Sequence, residues 1–199
     1  DKTNSTGETL AGSIAGCDVG CYEAWQKCTG DPSVIVAVLD DGVMYTHPDL
    51  AGNIWVNDKE ELYAGTDADG NGYKDDRYGY NFVHNTAAIS WTDVNDIGHG
   101  THVSGTIAAM NNGYGVCGIA GGDGTKDSGV KIMICQVFAG DNSVSLNGEA
   151  QAIKYAADNG AVILQCSWGY NSSEANEVEG YSPGPATVKE WADTRSEEH

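Results

Sequence analysis

The sequence predicts an α/β fold built on a mostly parallel sheet, and three observations carry that prediction. Three short apolar runs, "VIVAVLD" (34–40), "VKIMICQVF" (130–138) and "VILQCSW" (162–168), are continuous rather than alternating, as expected of strands buried on both faces. Stretches with helical periodicity separate them. A strand–helix–strand order implies parallel pairing through right-handed crossovers, with ligand sites at the carboxyl ends of the strands.

The elements follow in order. The first run ends at Asp40 and enters the turn "DDGV"; alone this is weak, because many strands end in Asp simply to begin a turn. A helix is expected after His99, with Val103, Ile107 and Met110 at helical spacing and Gly105, Ala108 and Ala109 allowing close packing. "LNGEAQAIKYAADNG" predicts a second helix with Ala150, Ile153 and Ala157 on one face and Gly160 closing it. Residues 57–96 form a polar excursion rich in Gly, Asp and Asn, and 170–199 a polar tail with a final helix expected around "ATVKEWADTR". No internal repeat is present.

Composition narrows the function. The 199 residues suit one domain. A net charge of −19 repels phosphates and argues against a nucleic-acid partner. No run approaches the roughly 20 apolar residues needed to span a membrane, and the opening "DKTNSTGETLAG" has no signal-peptide character. Of six cysteines, Cys17, Cys21 and Cys28 cluster early in a spacing that fits no common zinc pattern; Cys117, Cys135 and Cys166 lie in apolar segments and are expected to be buried.

"GHGTHVSG" places an imidazole at a helix start, where the helix dipole opposes its protonation unless a carboxylate offsets it. An Asp held against one ring nitrogen would fix the tautomer and stabilise the imidazolium, which is what activation of a serine hydroxyl requires. "DADGNGYKDD" carries Asp67, Asp69 and Asn71 at alternate positions, with the Tyr73 carbonyl and Asp75 or Asp76 able to continue a ring of oxygens. It is like the first part of a calcium loop without the closing Glu, whose position is Tyr78.

Taken together, "VIVAVLDDGVMYTHPDL", "HGTHVSGTIAAMNNGYGVCGIA" and "AIKYAADNGAVILQCSWG" resemble the subtilisin-like serine proteases over residues 22–169. The resemblance implies a three-layer fold with helices on both faces of the sheet, in which Asp40 orients His99 and His99 is the general base. It implies that Ser167, Trp168 and Gly169 pair with an extended peptide substrate, with Asp41 close enough to favour Lys or Arg; His102 is a structural helix residue. It also implies a calcium site joining Asp49 to the Asn112 side chain and the carbonyls of Met110, Tyr114 and Val116.

The family's nucleophile segment, of Gly-Thr-Ser-Met-Ala type, is not found: the Gly-Thr pairs continue as Asp67, His102, Ile107 or Lys126. The oxyanion-hole asparagine has no counterpart either. The expectation is therefore the N-terminal portion of one exported peptidase domain (1–199, sheet incomplete at its C-terminal end), inactive alone. The serine would come from a C-terminal segment or a second chain. "DDG" and "SWG" resemble the branch that cuts after basic residues, but "HGTHVSG" and "GYNSSE" do not, so a broad endopeptidase is expected. The rival class is a calcium-stabilised peptide-binding module or pseudoprotease without turnover.

Overall fold

The computed structural model describes residues 19–169; the helix expected near "ATVKEWADTR" lies outside them. A short helix α1 (Cys21–Trp25) is followed by β1 (Ile35–Asp40), a 3-10 turn (Ala51–Asn53), β2 (Gly79–Asn81), α2 (His99–Ala108), β3 (Lys131–Gln136) and a small hairpin of β4 (Phe138–Ala139) with β5 (Asn142–Ser143). Helix α3 (Leu146–Asp158) and β6 (Ile163–Gln165) complete the order. The main sheet runs β2-β3-β1-β6, and every pairing is parallel.

The period of two along a strand divides the core into two layers. Val36 and Val38 of β1 join Ile132 and Ile134 of β3 on the face covered by Ala108, Val103 and Ile107 of α2. The intervening Ala37 and Leu39 join Met133 and Cys135 on the face covered by Ala152, Tyr155 and Ala156 of α3. Both faces of β1 and β3 are thus buried, which is why positions 35–39 and 132–135 between their polar ends are all apolar. At about 1.5–3 kcal/mol for each fully buried aliphatic side chain, this pair of strands dominates the burial of the sheet.

Other expectations needed adjustment. The run 130–138 breaks at Val137, so that Phe138 begins the hairpin. Strand β6 covers only Ile163–Gln165, and Val162, Ile163 and Leu164 are exposed; with β2 it is one of the two edge strands among the described residues. Helix α2 ends at Ala108, leaving Met110 beyond it, where its amide donates to the Asp49 carbonyl. Helix α3 buries Glu149, Ala150, Ala152, Tyr155 and Ala156, a face rotated from the one expected; Ser145 caps its N-terminus, and Gly160 at φ 87° follows its end. The polar excursion contains β2, which three residues, Gly, Tyr and Asn, do not announce in sequence. Cys135 is buried, but Cys117 and Cys166 are exposed; these three and Cys21 and Cys28 are free thiols.

Replacing Ile134 with Ala is expected to cost about 2–5 kcal/mol in urea unfolding, and Ile163→Ala on the outer strand less than about 1 kcal/mol. Equal costs would contradict the layering.

Candidate active site

Strand β1 ends at Asp40, and the parallel register sets Gln136, the last residue of β3, beside it. The Asp40 carboxylate is almost fully buried. Its Oδ1 accepts the Asp41 amide at 2.8 Å and lies 2.8 Å from Nδ1 of His99; its Oδ2 is enclosed with no hydrogen-bond partner among the described residues. His99 is the first residue of α2, and its side chain is 43 % exposed. With Nδ1 turned to the carboxylate, Nε2 is the nitrogen left for an incoming group.

The hydrogen bond to Asp40 raises the His99 pKa above its ordinary value, and the charges of Asp40 and Asp41 add to this against the opposing effect of desolvation. His102 is exposed one turn further on; the Asp40 contact belongs to His99.

Local clearances bring α2 this close. Gly98, at φ 72°, leads into the helix without a side-chain cap. A Cβ on Gly100 would stand 2.3 Å from the Gly42 carbonyl oxygen and 3.0 Å from the Asp40 Cβ, so glycine is required there. Thr101 Oγ1 accepts the Met44 amide at 2.9 Å, tying the first turn of α2 to the loop after β1.

Gln136, wholly buried, joins the loops around this point. Its Nε2 donates to Ser90 Oγ, the Phe138 carbonyl and, at 3.4 Å, the Asp41 carbonyl, while its Oε1 accepts the Ser90 amide. Sequence reading passed over Gln136, Ser90 and Thr101. A lone polar residue level with Asp40 at the end of an apolar run was the available signal.

The Asp41 carboxylate, expected near substrate, faces α2: Oδ2 accepts the His99 amide at 3.1 Å and Oδ1 the Gly100 amide at 2.6 Å. Ser167, Trp168 and Gly169 follow β6 without forming strand. The Trp168 indole donates to the Leu39 carbonyl at 2.7 Å, packs edge-on against Phe138, and so fixes this segment beside the end of β1. Ser167 Oγ accepts from Gln165, and Gly169 is exposed.

In the acidic loop two of the residues its spacing suggested, Asp67 and Asp69, come together with a third from outside it. Glu60, Asp67 and Asp69 each offer an oxygen within 4.8 Å of the others. Glu60, wholly buried, lies seven residues upstream of the recognisable pattern and was missed. Asn71 Oδ1 is taken by the Tyr73 amide, and Asn71 Nδ2 donates to Asp76. Asp75 turns away to accept the Gly65 amide. The Tyr73 ring packs among Tyr80, Phe82 and Tyr155. Asp76 is buried, accepts the Tyr155 hydroxyl at 2.7 Å, and has its pKa raised chiefly by that burial.

At the other predicted site the loop 110–116 folds onto Asp49. Asp49 Oδ2 accepts the Val116 amide at 2.9 Å, and Oδ1 is enclosed without a partner among the described residues. The Asn112 side-chain oxygen accepts the Tyr114 amide, and the Met110 carbonyl accepts that of Asn112.

This is an α/β domain with a carboxylate–imidazole couple at the carboxyl edge of its parallel sheet. The family model described as "Subtilase family" matches residues 31–198, and the chain belongs to that family. It is 38% identical over 139 residues to subtilisin-like protease 1 of Plasmodium vivax, covering 68% of this chain and 20% of that protein. It is 34% identical over 175 residues to fervidolysin of Fervidobacterium pennivorans, covering 82% of this chain and 20% of that one. The crystal structure of fervidolysin superposes with a TM-score of 0.50 at 29% identity over 76% of this chain and 20% of that one. A crystal structure of the Aeromonas sobria serine protease with its chaperone gives 0.57 at 27% identity over 80% and 22%. The chain spans about a fifth of the length of these relatives.

The His99 imidazole is expected to titrate above its ordinary midpoint of about 6.5, and Asp40→Asn to lower that midpoint, as read by NMR. Because the folded-state pKa is the raised one, the pair's contribution to stability is full below about 6.5 and disappears as pH rises through the elevated value. A stability increment that instead grew above neutrality would contradict the pairing.

Proposed function

We propose that this chain supplies the Asp and His of a serine endopeptidase that hydrolyses peptide bonds in protein substrates, with the nucleophilic serine contributed by polypeptide outside these 199 residues. The observation that carries the reading is the 2.8 Å contact of Asp40 Oδ1 with His99 Nδ1. This contact leaves Nε2 to take the serine proton and return it to the leaving amine, while the Asp40 charge stabilises the imidazolium between those steps. Support for the substrate track comes from Ser167–Gly169, held beside the end of β1 by Trp168, where an extended peptide would add its backbone.

Calcium belongs to the same proposal. The enclosed Asp49 Oδ1 lacks a donor among the described residues, and a cation there, bound with oxygens of Met110, Asn112, Tyr114 and Val116, would satisfy it. A second ion would sit among Glu60, Asp67 and Asp69. Bound ions would fix the loops flanking α2 and the sheet; no step of the chemistry uses them. We place the enzyme outside the cytoplasm. A 31%-identical relative in Natrialba magadii is described as extracellular, and no helix among the described residues is long and apolar enough to cross a membrane.

Fluorophosphonate labelling tests the catalytic reading. The 199-residue chain alone is expected to take no label. The chain joined to or co-purified with its serine-bearing segment is expected to label and to cleave casein. His99→Ala should then lower kcat by a factor on the order of 10⁴ or more. A restored polypeptide that binds peptide but neither labels nor cleaves would make this a binding module.

Calcium is expected to raise the melting temperature of the isolated chain, and chelator to lower it. An identical melting curve in both would remove the metal sites.

A further inference from the structure

We propose that Asp41 is a positioning residue for His99: its carboxylate clamps the first turn of α2 and so fixes where the imidazole begins. This rests on the catalytic reading of the Asp40–His99 couple. The first amides of any helix lack internal partners, and α2 is entered through Gly98, which has no side chain to supply one. The partner comes instead from the residue that follows β1. Asp41 Oδ2 accepts the His99 amide and Oδ1 the Gly100 amide, one carboxylate serving two successive donors.

The carboxylate is itself held. The Asp41 amide donates to Asp40 Oδ1, and its carbonyl accepts from the buried Gln136. A Cβ on Gly100 would lie 2.9 Å from Asp41 Oδ1, so the glycine after the histidine is also what admits the clamp. Consecutive residues therefore grip His99 at two points, Asp40 by the ring and Asp41 by the backbone.

The clamp has an electrostatic side as well. The N-terminus of a helix carries partial positive charge that opposes an imidazolium at its first residue. Asp41 opposes that field. The charges acting on His99 are those of Asp40 and Asp41, and both favour its protonated form. With each oxygen accepting a helix amide, Asp41 serves the geometry of the base.

The test uses the isotope-labelled 199-residue chain and its Asp41→Asn, Asp41→Ser and Asp40→Asn variants. It reads the His99 titration midpoint and amide exchange at His99 and Gly100 by NMR, with the Tyr155 and Ala156 amides of α3 reporting global stability. Asp41→Asn is expected to lower the His99 midpoint by about half a unit. It should speed exchange at His99 and Gly100 about tenfold beyond any change in α3. Asp41→Ser, a neutral acceptor, should recover part of the amide protection while leaving the midpoint low.

An unchanged midpoint and unchanged exchange in Asp41→Asn would overturn the proposal. If Asp40→Asn still lowered the midpoint, the Asp40–His99 couple would survive that result; if it did not, the catalytic reading would fail first. Should Asp41→Asn not fold, the wild-type chain decides. The amide shifts of His99 and Gly100 are expected to follow the titration of the Asp41 carboxyl carbon, and a different midpoint would refute the clamp.

Discussion

The pairing of β1 with β3 is the constraint on which the rest of the site depends. Six successive residues of each strand run in parallel register from Ile35 beside Lys131 to Asp40 beside Gln136. Both faces of the pair are packed, by α2 on one side and α3 on the other. A slip of one residue would exchange the two faces and move every aliphatic side chain into the wrong layer, so the register is firmly specified. Its consequence at the carboxyl end is that two buried polar side chains, Asp40 and Gln136, emerge level with one another where the apolar core stops. Asp40 holds the imidazole, and Gln136 holds the loops from which α2 and the hairpin depart.

The geometry around His99 is set by small distances more than by many contacts. Gly98, Gly100 and Gly42 each occupy a place where a side chain would strain or collide, at a left-handed φ or against a carbonyl oxygen. The proposed catalytic role would require one imidazole with a defined tautomer and an accessible Nε2. The fold meets that requirement by letting backbone approach backbone, then fastening the approach with Thr101, Asp41 and Asp40. The imidazole so fastened is 43 % exposed.

Much of this was legible in sequence because it is written in residue types that do one thing. Two strand runs with apolar interiors suit a doubly covered sheet, and "DDG" and "GHG" mark chain positions where a carboxylate ends a strand and an imidazole begins a helix. What sequence could not supply was direction and partnership. Asp41 reads as a free negative charge, yet each of its oxygens accepts a helix amide. Asp75 fits a calcium-loop spacing, yet it turns to Gly65, and the buried carboxylate beside Asp67 and Asp69 comes from Glu60, outside the pattern. Met110 falls at helical spacing although α2 has already ended, because the Asp49 carbonyl captures its amide. Periodicity and spacing describe one segment at a time, whereas each of these outcomes was decided by a second segment.

The buried hydrogen bond from the Tyr155 hydroxyl to Asp76 changes what the acidic excursion is. In sequence, residues 57–96 look like a decoration that a minimal domain could shed. In the fold they contain β2 and the rings of Tyr73, Tyr80 and Phe82, which close over Tyr155 on the outer face of the sheet. Cutting the segment back to a short linker would strip the roof from α3 and remove the sheet's outer strand beside β3. For anyone trimming or grafting this scaffold, the excursion is part of the frame.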